Sequence, residues 1–288
     1  MSINRRWFIR STIAGGIGLA LPKRSYANIG SRTMIEELDE AAARPTLNVD
    51  SFKSPVIIES IELFQTDGMY FIRSTSKDGA VGIAVTNSRA RYFYPIFYQR
   101  VAPYFIGKDA RELESLVDGV YRHQSNYKLS GLALWCCVAW IEFSLLDMLG
   151  KIANKPVGEL LGGVVRKEVP VYVASGNRHT SAEEEAVILK DLVEKYNVKA
   201  VKFKVGGRMS NDADSIPGRS EKLIPLARKT LGDDITIHAD SNGSYNAPRA
   251  IEIGRLLEEI EAHFFEEPCP FDYLEETKRV ADALDIMI

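Results

Sequence analysis

Apolar and polar positions alternate over three stretches: Ile57-Ile58-Glu59-Ser60-Ile61-Glu62-Leu63-Phe64, Met69-Tyr70-Phe71-Ile72-Arg73-Ser74 and Gly79-Ala80-Val81-Gly82-Ile83-Ala84-Val85. That period of two, interrupted at Thr66-Asp67-Gly68 and Ser76-Lys77-Asp78-Gly79, predicts an antiparallel meander with Asp-Gly turns. Helical spacing follows across Tyr92 to Val101, Ala110 to His123 and Leu132 to Ala153, and Gly162-Gly163 closes the segment. Residues 55–165 therefore read as an α+β domain.

After Gly163 the pattern becomes strand Val169 to Ala174, helix Ala182 to Tyr196, strand Val198 to Val205 and helix Glu221 to Leu231. Strand Ile235 to Asp240, helix Ala250 to Ile260 and strand His263 to Glu267 follow, and Asp285-Ile286-Met287-Ile288 reads as the opening of a fifth strand. Alternation of this kind predicts an α/β domain over residues 166–288, with a parallel sheet that is open or closed into a barrel. Thr180-Ser181-Ala182-Glu183-Glu184 offers capping boxes, Asn246 with Pro248 starts a helix, and Gly232 follows the end of another. No strand runs into a Gly-x-Gly-x-x-Gly turn, which argues against a dinucleotide-binding sheet.

Residues 1–27 have a different character, with Asn4-Arg5-Arg6-Trp7-Phe8-Ile9-Arg10 ahead of an apolar run from Thr12 to Leu21 and Ser25-Tyr26-Ala27 behind it. A charged start, a short apolar middle and a small-x-small end make a cleavable export signal, and Arg5-Arg6 resembles the twin-arginine type. Ten apolar residues are about half of what a spanning helix needs, so no stable membrane anchor is expected after cleavage and the mature chain is expected in the periplasm. Residues 28–54 read as a polar, irregular linker or arm.

Composition narrows the chemistry. With 36 Lys+Arg against 39 Asp+Glu in 288 residues, the net charge of −3 gives no positive field for nucleic acid. Three cysteines are too few for a disulfide framework; Cys136 and Cys137 read as buried thiols. No two histidines have metal-ligand spacing, so a zinc site of His and Cys is disfavoured.

Three successive strand ends carry charged residues instead. In Val201-Lys202-Phe203-Lys204-Val205 both lysines lie on one face, so each ammonium disfavours charging of the other and one can be depressed to serve as a base. The next strand ends in Asp240-Ser241-Asn242, with Asp240 and Asn242 on a shared face, and the one after it in Glu266-Glu267-Pro268. Carboxylates at the ends of neighbouring parallel strands converge on one rim, where oxygen ligands hold hard divalent cations. Taken singly, a Lys-x-Lys strand is ordinarily a solvated face and Asp-x-Asn-Gly a turn; their order over three strands favours a site. Glu267 should face away from Glu266, as a structural carboxylate or as part of the site.

From about Val56 onward the chain resembles the mandelate racemase/muconate lactonizing enzyme family of the enolase superfamily. The likeness rests on Ile141-Glu142-Phe143-Ser144-Leu145-Leu146-Asp147, Lys155-Pro156-Val157-Gly158-Glu159-Leu160-Leu161-Gly162-Gly163, and the ordered Val-Lys-Phe-Lys, Asp-Ser-Asn-Gly-Ser and Glu-Glu-Pro signatures. It implies an α+β capping domain followed by a (β/α) barrel of TIM type, here its first half. It also implies Mg²⁺ held by Asp240 and Glu266, Lys204 as the base that removes a proton α to a carboxylate, Lys202 as its pKa-lowering neighbour, and Asn242 as a substrate contact. The implied reactions are dehydration of an acid sugar, or racemisation or epimerisation of a hydroxy acid.

A TIM-type barrel takes about 250 residues, and the stretch after residue 165 supplies about half of that. A third acidic ligand one βα repeat beyond Glu266 would fall about four residues past Ile288, so the expectation is an N-terminal part of an enzyme. The other reading is a non-catalytic product, either a truncated or degenerate family member or a binding module. A small-molecule carboxylate is the expected partner, and a half-open sheet with an unpaired strand edge at Phe264 to Glu266 is expected to form a homo-oligomer.

Overall fold

Asp67 and Gly68 both have positive φ, 46° and 78°, and Thr66 pairs directly with Met69 across them. This two-residue turn, in the computed structural model that describes residues 30–288, has the backbone twist that right-handed antiparallel strands require. It joins β1 (Ile58–Thr66) to β2 (Met69–Ser76), and β2 pairs in turn with β3 (Val81–Val85), in the order β1-β2-β3. The export signal expected over residues 1–27, with Arg5 and Arg6, lies outside the described residues. The segment after it is less irregular than expected: α1 (Gly30–Ala43) is a helix whose run of Glu, Leu and Ala favours helix intrinsically, and its side chains from Met34 to Ala43 are exposed.

The chain divides into two units between Lys167 and Glu168. In the first, α2 (Ala90–Ile96) continues through a π-helical turn at Phe97–Val101 and one further turn, Ala102–Phe105. Pro103, in that further turn, has no N–H to return to the carbonyl of Gln99, which accounts for the widened turn. Then come α3 (Leu113–Arg122) and α4 (Leu132–Ala153). Ile58, Ile72, Phe97, Phe105, Leu134, Ile141, Leu145 and Leu149 form the core between the meander and these helices. Although α4 is long and apolar enough to cross a membrane, 56% of its most apolar window is buried inside this unit.

The second unit contains β4 (Val173–Ala174), α5 (Ala182–Tyr196), β5 (Ala200–Lys204), α6 (Arg219–Leu231), β6 (Thr236–Asp240), α7 (Ala247–Glu259) and β7 (Phe264–Glu266). All neighbouring strands are parallel and the order is β4-β5-β6-β7, the winding of a (β/α) barrel. Among the described residues the sheet does not close. One further helix, α8 (Leu274–Ala283), had no counterpart in the sequence reading; its Val280 is the only residue on it that is fully buried. The chain then returns to the sheet, where Phe264 and Met287 form a parallel bridge and the Phe265 N–H donates to the Met287 carbonyl at 2.8 Å. The edge of β7 is therefore not left bare as expected. The first strand is shorter than expected from Val169, because β5 begins at Ala200 and offers partners only to Val173 and Ala174; Val169 and Val171 are exposed.

Candidate active site

Every strand of the parallel sheet ends toward the same edge, and the period of two decides what reaches it. On β5 and just after it, Val201, Phe203 and Val205 are fully buried with the helices, while Lys202 and Lys204 occupy the opposite face. Lys202 is 8% exposed, so this face is not the solvated surface that Lys-x-Lys ordinarily makes. Register sets Lys204 beside Asp240, and Asp240 beside Glu266.

The side chains meet accordingly. Lys202 Nζ donates to Glu266 Oε2 at 2.6 Å and lies 3.6 Å from Asp240 Oδ2. Lys204 Nζ donates to that same Asp240 Oδ2 and to Asn242 Oδ1, the latter at 3.2 Å. Asp240 is buried, and its Oδ1 accepts the Asn242 backbone N–H at 2.8 Å. All five residues expected from the sequence thus converge. Glu267 joins them through Asn242, whose Nδ2 donates to Glu267 Oε2 at 2.8 Å.

Mutual repulsion of the lysines does not dominate at Lys202. Burial pushes its ammonium down, but hydrogen bonds to Glu266 and Tyr172 and the charges of Glu266 and Asp240 outweigh burial and hold it well above its ordinary value. The same face carries His238, stacked on Phe264 at 4.0 Å and edge-on to Tyr172. Burial, then the His263 and Lys202 charges, push the His238 imidazole down to about 4, so it is neutral at pH 7.

Asp240 and Glu266 present hard carboxylate oxygens side by side on adjacent strands. A single ammonium, that of Lys202, lies within 3.6 Å of both, so one cation can face the two at once. This donor set fits a magnesium ion, which takes oxygen ligands and retains waters. No cluster of three or more His, Cys, Asp or Glu with metal-holding geometry occurs among the described residues.

Two arginines belong to this rim that sequence reasoning missed. Arg178, after β4, donates to Asn242 Oδ1 at 2.6 Å; applying the strand-end rule to the first parallel strand as well as to the later three would have found it. Arg219, 3% exposed at the start of α6, donates to the carbonyls of Thr180 and Lys204 at 2.7 and 2.8 Å and lies 3.6 Å from the buried Glu185. No sequence signal separates this arginine from a solvated one at a helix start. Cys137 is buried as expected, but Cys136 is only half-buried, because adjacent residues on α4 point in different directions; Cys269 is buried as well.

Comparison with known proteins agrees with both units. A mandelate racemase/muconate lactonizing enzyme N-terminal domain matches residues 46–162, and an enolase C-terminal domain-like region matches residues 184–288. Arabinonate dehydratase of Saccharolobus solfataricus is 32% identical over 189 residues, 65% of this chain and 48% of that protein. D-galactonate dehydratase of Xanthomonas euvesicatoria pv. vesicatoria is 27% identical over 222 residues, 75% of this chain and 56% of that protein. The chain spans about half the length of the curated relatives it matches. Among solved structures, a candidate racemase from Roseobacter denitrificans superposes with a TM-score of 0.75 at 35% identity, over 80% of this chain and 62% of that one. A mandelate racemase/muconate lactonizing protein from Paracoccus denitrificans PD1222, complexed with magnesium, gives 0.71 at 29% identity, over 80% and 64%. With both units matched in the family's order, the chain belongs to the mandelate racemase/muconate lactonizing enzyme family of the enolase superfamily.

Proposed function

We propose that this chain carries the base and the first metal-binding carboxylates of a magnesium-dependent enzyme that removes a proton α to the carboxylate of an acid sugar, leading to dehydration or epimerisation. The observation that carries the reading is the convergence of Lys202, Lys204, Asp240 and Glu266 at the ends of three successive parallel strands. Relatives named as arabinonate, D-galactonate and L-talarate/galactarate dehydratases support an acid sugar as the substrate class.

In this reading Asp240 and Glu266 hold the ion. Magnesium bound there would stabilise the negative charge that develops on the substrate carboxylate as the α-proton leaves. Lys204, as the neutral amine, accepts that proton at Nζ and becomes the ammonium, and Lys202 offers a fixed positive charge to the substrate carboxylate. Exclusion of water falls to the apolar and aromatic side chains on the same face, Tyr172, His238 and Phe264.

The test is exchange of the α-proton in deuterium oxide, with magnesium and a panel of arabinonate, galactonate and galactarate, on the longest chain the reading frame encodes. Exchange with at least one acid, lost in Lys204→Ala, is the expected result. Exchange that persists at full rate in Lys204→Ala removes that residue from the role of base. A folded protein that exchanges none of the acids favours instead the non-catalytic reading, a truncated or degenerate family member or a binding module, with which the lack of a third acidic ligand among the described residues agrees.

Two further expectations belong with this reading. Residues 1–27 export the protein in folded form to the periplasm. The exposed apolar side chains Val169, Val171 and Leu274 favour a homo-oligomer, which sedimentation velocity would register.

A further inference from the structure

Asn242 is the point where the strand ends are joined to one another. Its Oδ1 accepts from Arg178 Nη2 at 2.6 Å and from Lys204 Nζ at 3.2 Å, and its Nδ2 donates to Glu267 Oε2 at 2.8 Å. Those partners come from the segment after β4, the end of β5 and the segment after β7. A carbonyl oxygen has two lone pairs, so Oδ1 is fully used by these cations. Turning the amide over would set its NH₂ against a guanidinium and an ammonium and its oxygen against a carboxylate, so the surrounding charges permit one orientation.

Arg178 is held as firmly as it holds. Its Nη1 donates to the carbonyls of Val205 and Gly206, each at 2.6 Å, the two residues that follow Lys204 in the chain. A planar guanidinium that grips two consecutive carbonyls and the Asn242 oxygen together fixes the direction from the end of β5 to that oxygen. A lysine has the charge but no planar fork, and cannot make the three contacts from one rigid plane. Asn242 itself sits in a left-handed turn, φ 47°, with its backbone N–H on Asp240 Oδ1.

We infer that Arg178 is a positioning residue, which orients the Asn242 amide and through it the Lys204 side chain. The functional meaning rests on the reading of Lys204 as the base, whereas the grip itself is a property of the folded chain. Glu267 completes the device by holding the other end of the amide.

Nuclear magnetic resonance of the chain carrying ¹⁵N-asparagine and ¹³C-lysine reads both ends, with Asn242→Ala and Lys204→Ala supplying the assignments. The wild type should show a resolved, exchange-protected Asn242 side-chain NH₂ pair. In Arg178→Ala that pair should collapse toward the position of solvent-exposed amides and the Lys204 Cε signal should move. Arg178→Lys should behave like Arg178→Ala. Asn126, whose amide is gripped by Arg100 and the Val120 carbonyl in the other unit, should not change.

Unmoved Asn242 and Lys204 signals in Arg178→Ala would overturn the inference, and so would their restoration by Lys at position 178, which would reduce the role to charge. Should Arg178→Ala lose the ordered Asn126 signal, Arg178→Gln, which keeps one NH₂ group but no fork, decides by the same two signals: their movement supports the inference and their constancy overturns it. The α-proton exchange assay, run in parallel, separates the two ideas. Signals that behave as stated, without any Lys204-dependent exchange, would sink Lys204 as base and leave the grip of Arg178 standing.

Discussion

Gly82 shows how far one residue type can be dictated by a neighbour 62 positions away. A Cβ built there would lie 1.9 Å from the Ser144 carbonyl oxygen and 2.7 Å from Met148 atoms, all on the rigid face of α4. Gly82→Ala should therefore cost about 3 kcal/mol, as overpacking against backbone does, and urea denaturation will measure it. Wild-type stability in that variant would show that α4 can retreat from β3. The cysteines separate in the same way. Burial and the adjacent Cys136 push the Cys137 thiol up to about 12, and burial with the Glu276 charge pushes Cys269 up to about 11. A thiol reagent should label half-buried Cys136 in the folded chain and the other two only on unfolding, as peptide mass spectrometry will report. Equal labelling of Cys137 would contradict that burial. At Asp109, burial raises the carboxyl, but the hydrogen bonds from Arg111 and from the Val56 and Arg111 N–H groups outweigh it and hold it below its ordinary 3.8. A folded-state value below the unfolded one stabilises the fold in full above the unfolded value and progressively less as pH falls through the lowered one. The acid-side loss of stability should thus be shallower in Asp109→Asn.

Elements here are built by local signals and locked by buried ones. At the start of α5 the Ser181 hydroxyl accepts the Glu184 N–H at 3.1 Å, and Glu184 Oε2 accepts the Ser181 N–H at 2.8 Å, the reciprocal box that the sequence pattern announces. Ser181→Ala should cost about 1 kcal/mol, seen in denaturation, with hydrogen exchange quickened in the first turn of α5. An unchanged midpoint would mean the loop before α5 holds that turn without its cap. The Arg219 and Glu185 pair is a lock of the other kind, both side chains being almost fully buried and Glu185 Oε1 having no partner. Removing one partner strands a charge, so Arg219→Ala should cost about 3–5 kcal/mol. The double change Arg219→Met with Glu185→Leu should recover much of that loss. Additive losses in the double variant would show that Arg219 acts through its grip on the Thr180 and Lys204 carbonyls more than through the pair.

For the whole molecule, the expected outcomes concern export and metal. Changing Arg5 and Arg6 together to Lys should leave unprocessed precursor in the cytoplasm, since the folded-protein route reads the arginines and not merely their charge. Normal maturation of that double variant, followed by fractionation and blotting, would assign the chain to another route. Magnesium titration by calorimetry should give a heat that Asp240→Asn abolishes, because the change removes one of the two carboxylates that would hold the ion. Retention of the heat would place the ion elsewhere.

Much of this was legible in the sequence because it depends on short-range periodicity and turn chemistry. The Asp-Gly hairpin, the helix caps and the lysine face of β5 each follow from residues within a few positions of one another, and all three are present in the fold. The order of Lys202, Lys204, Asp240 and Glu266 at successive strand ends was equally readable, since parallel strands linked by helices carry their C-terminal ends to one edge. What tertiary structure alone decided depends on partners far apart in the chain. The length of β4 was set by where β5 begins; the opening of a strand at Asp285 to Ile288 was readable, but its register, Met287 opposite Phe264, was set by where α8 returns the chain. The raised Lys202 ammonium and the committed Asn242 amide arise for the same reason: charges from segments tens of residues apart come within hydrogen-bonding distance, and Coulomb attraction at that range outweighs the like-charge repulsion that sequence spacing alone displays.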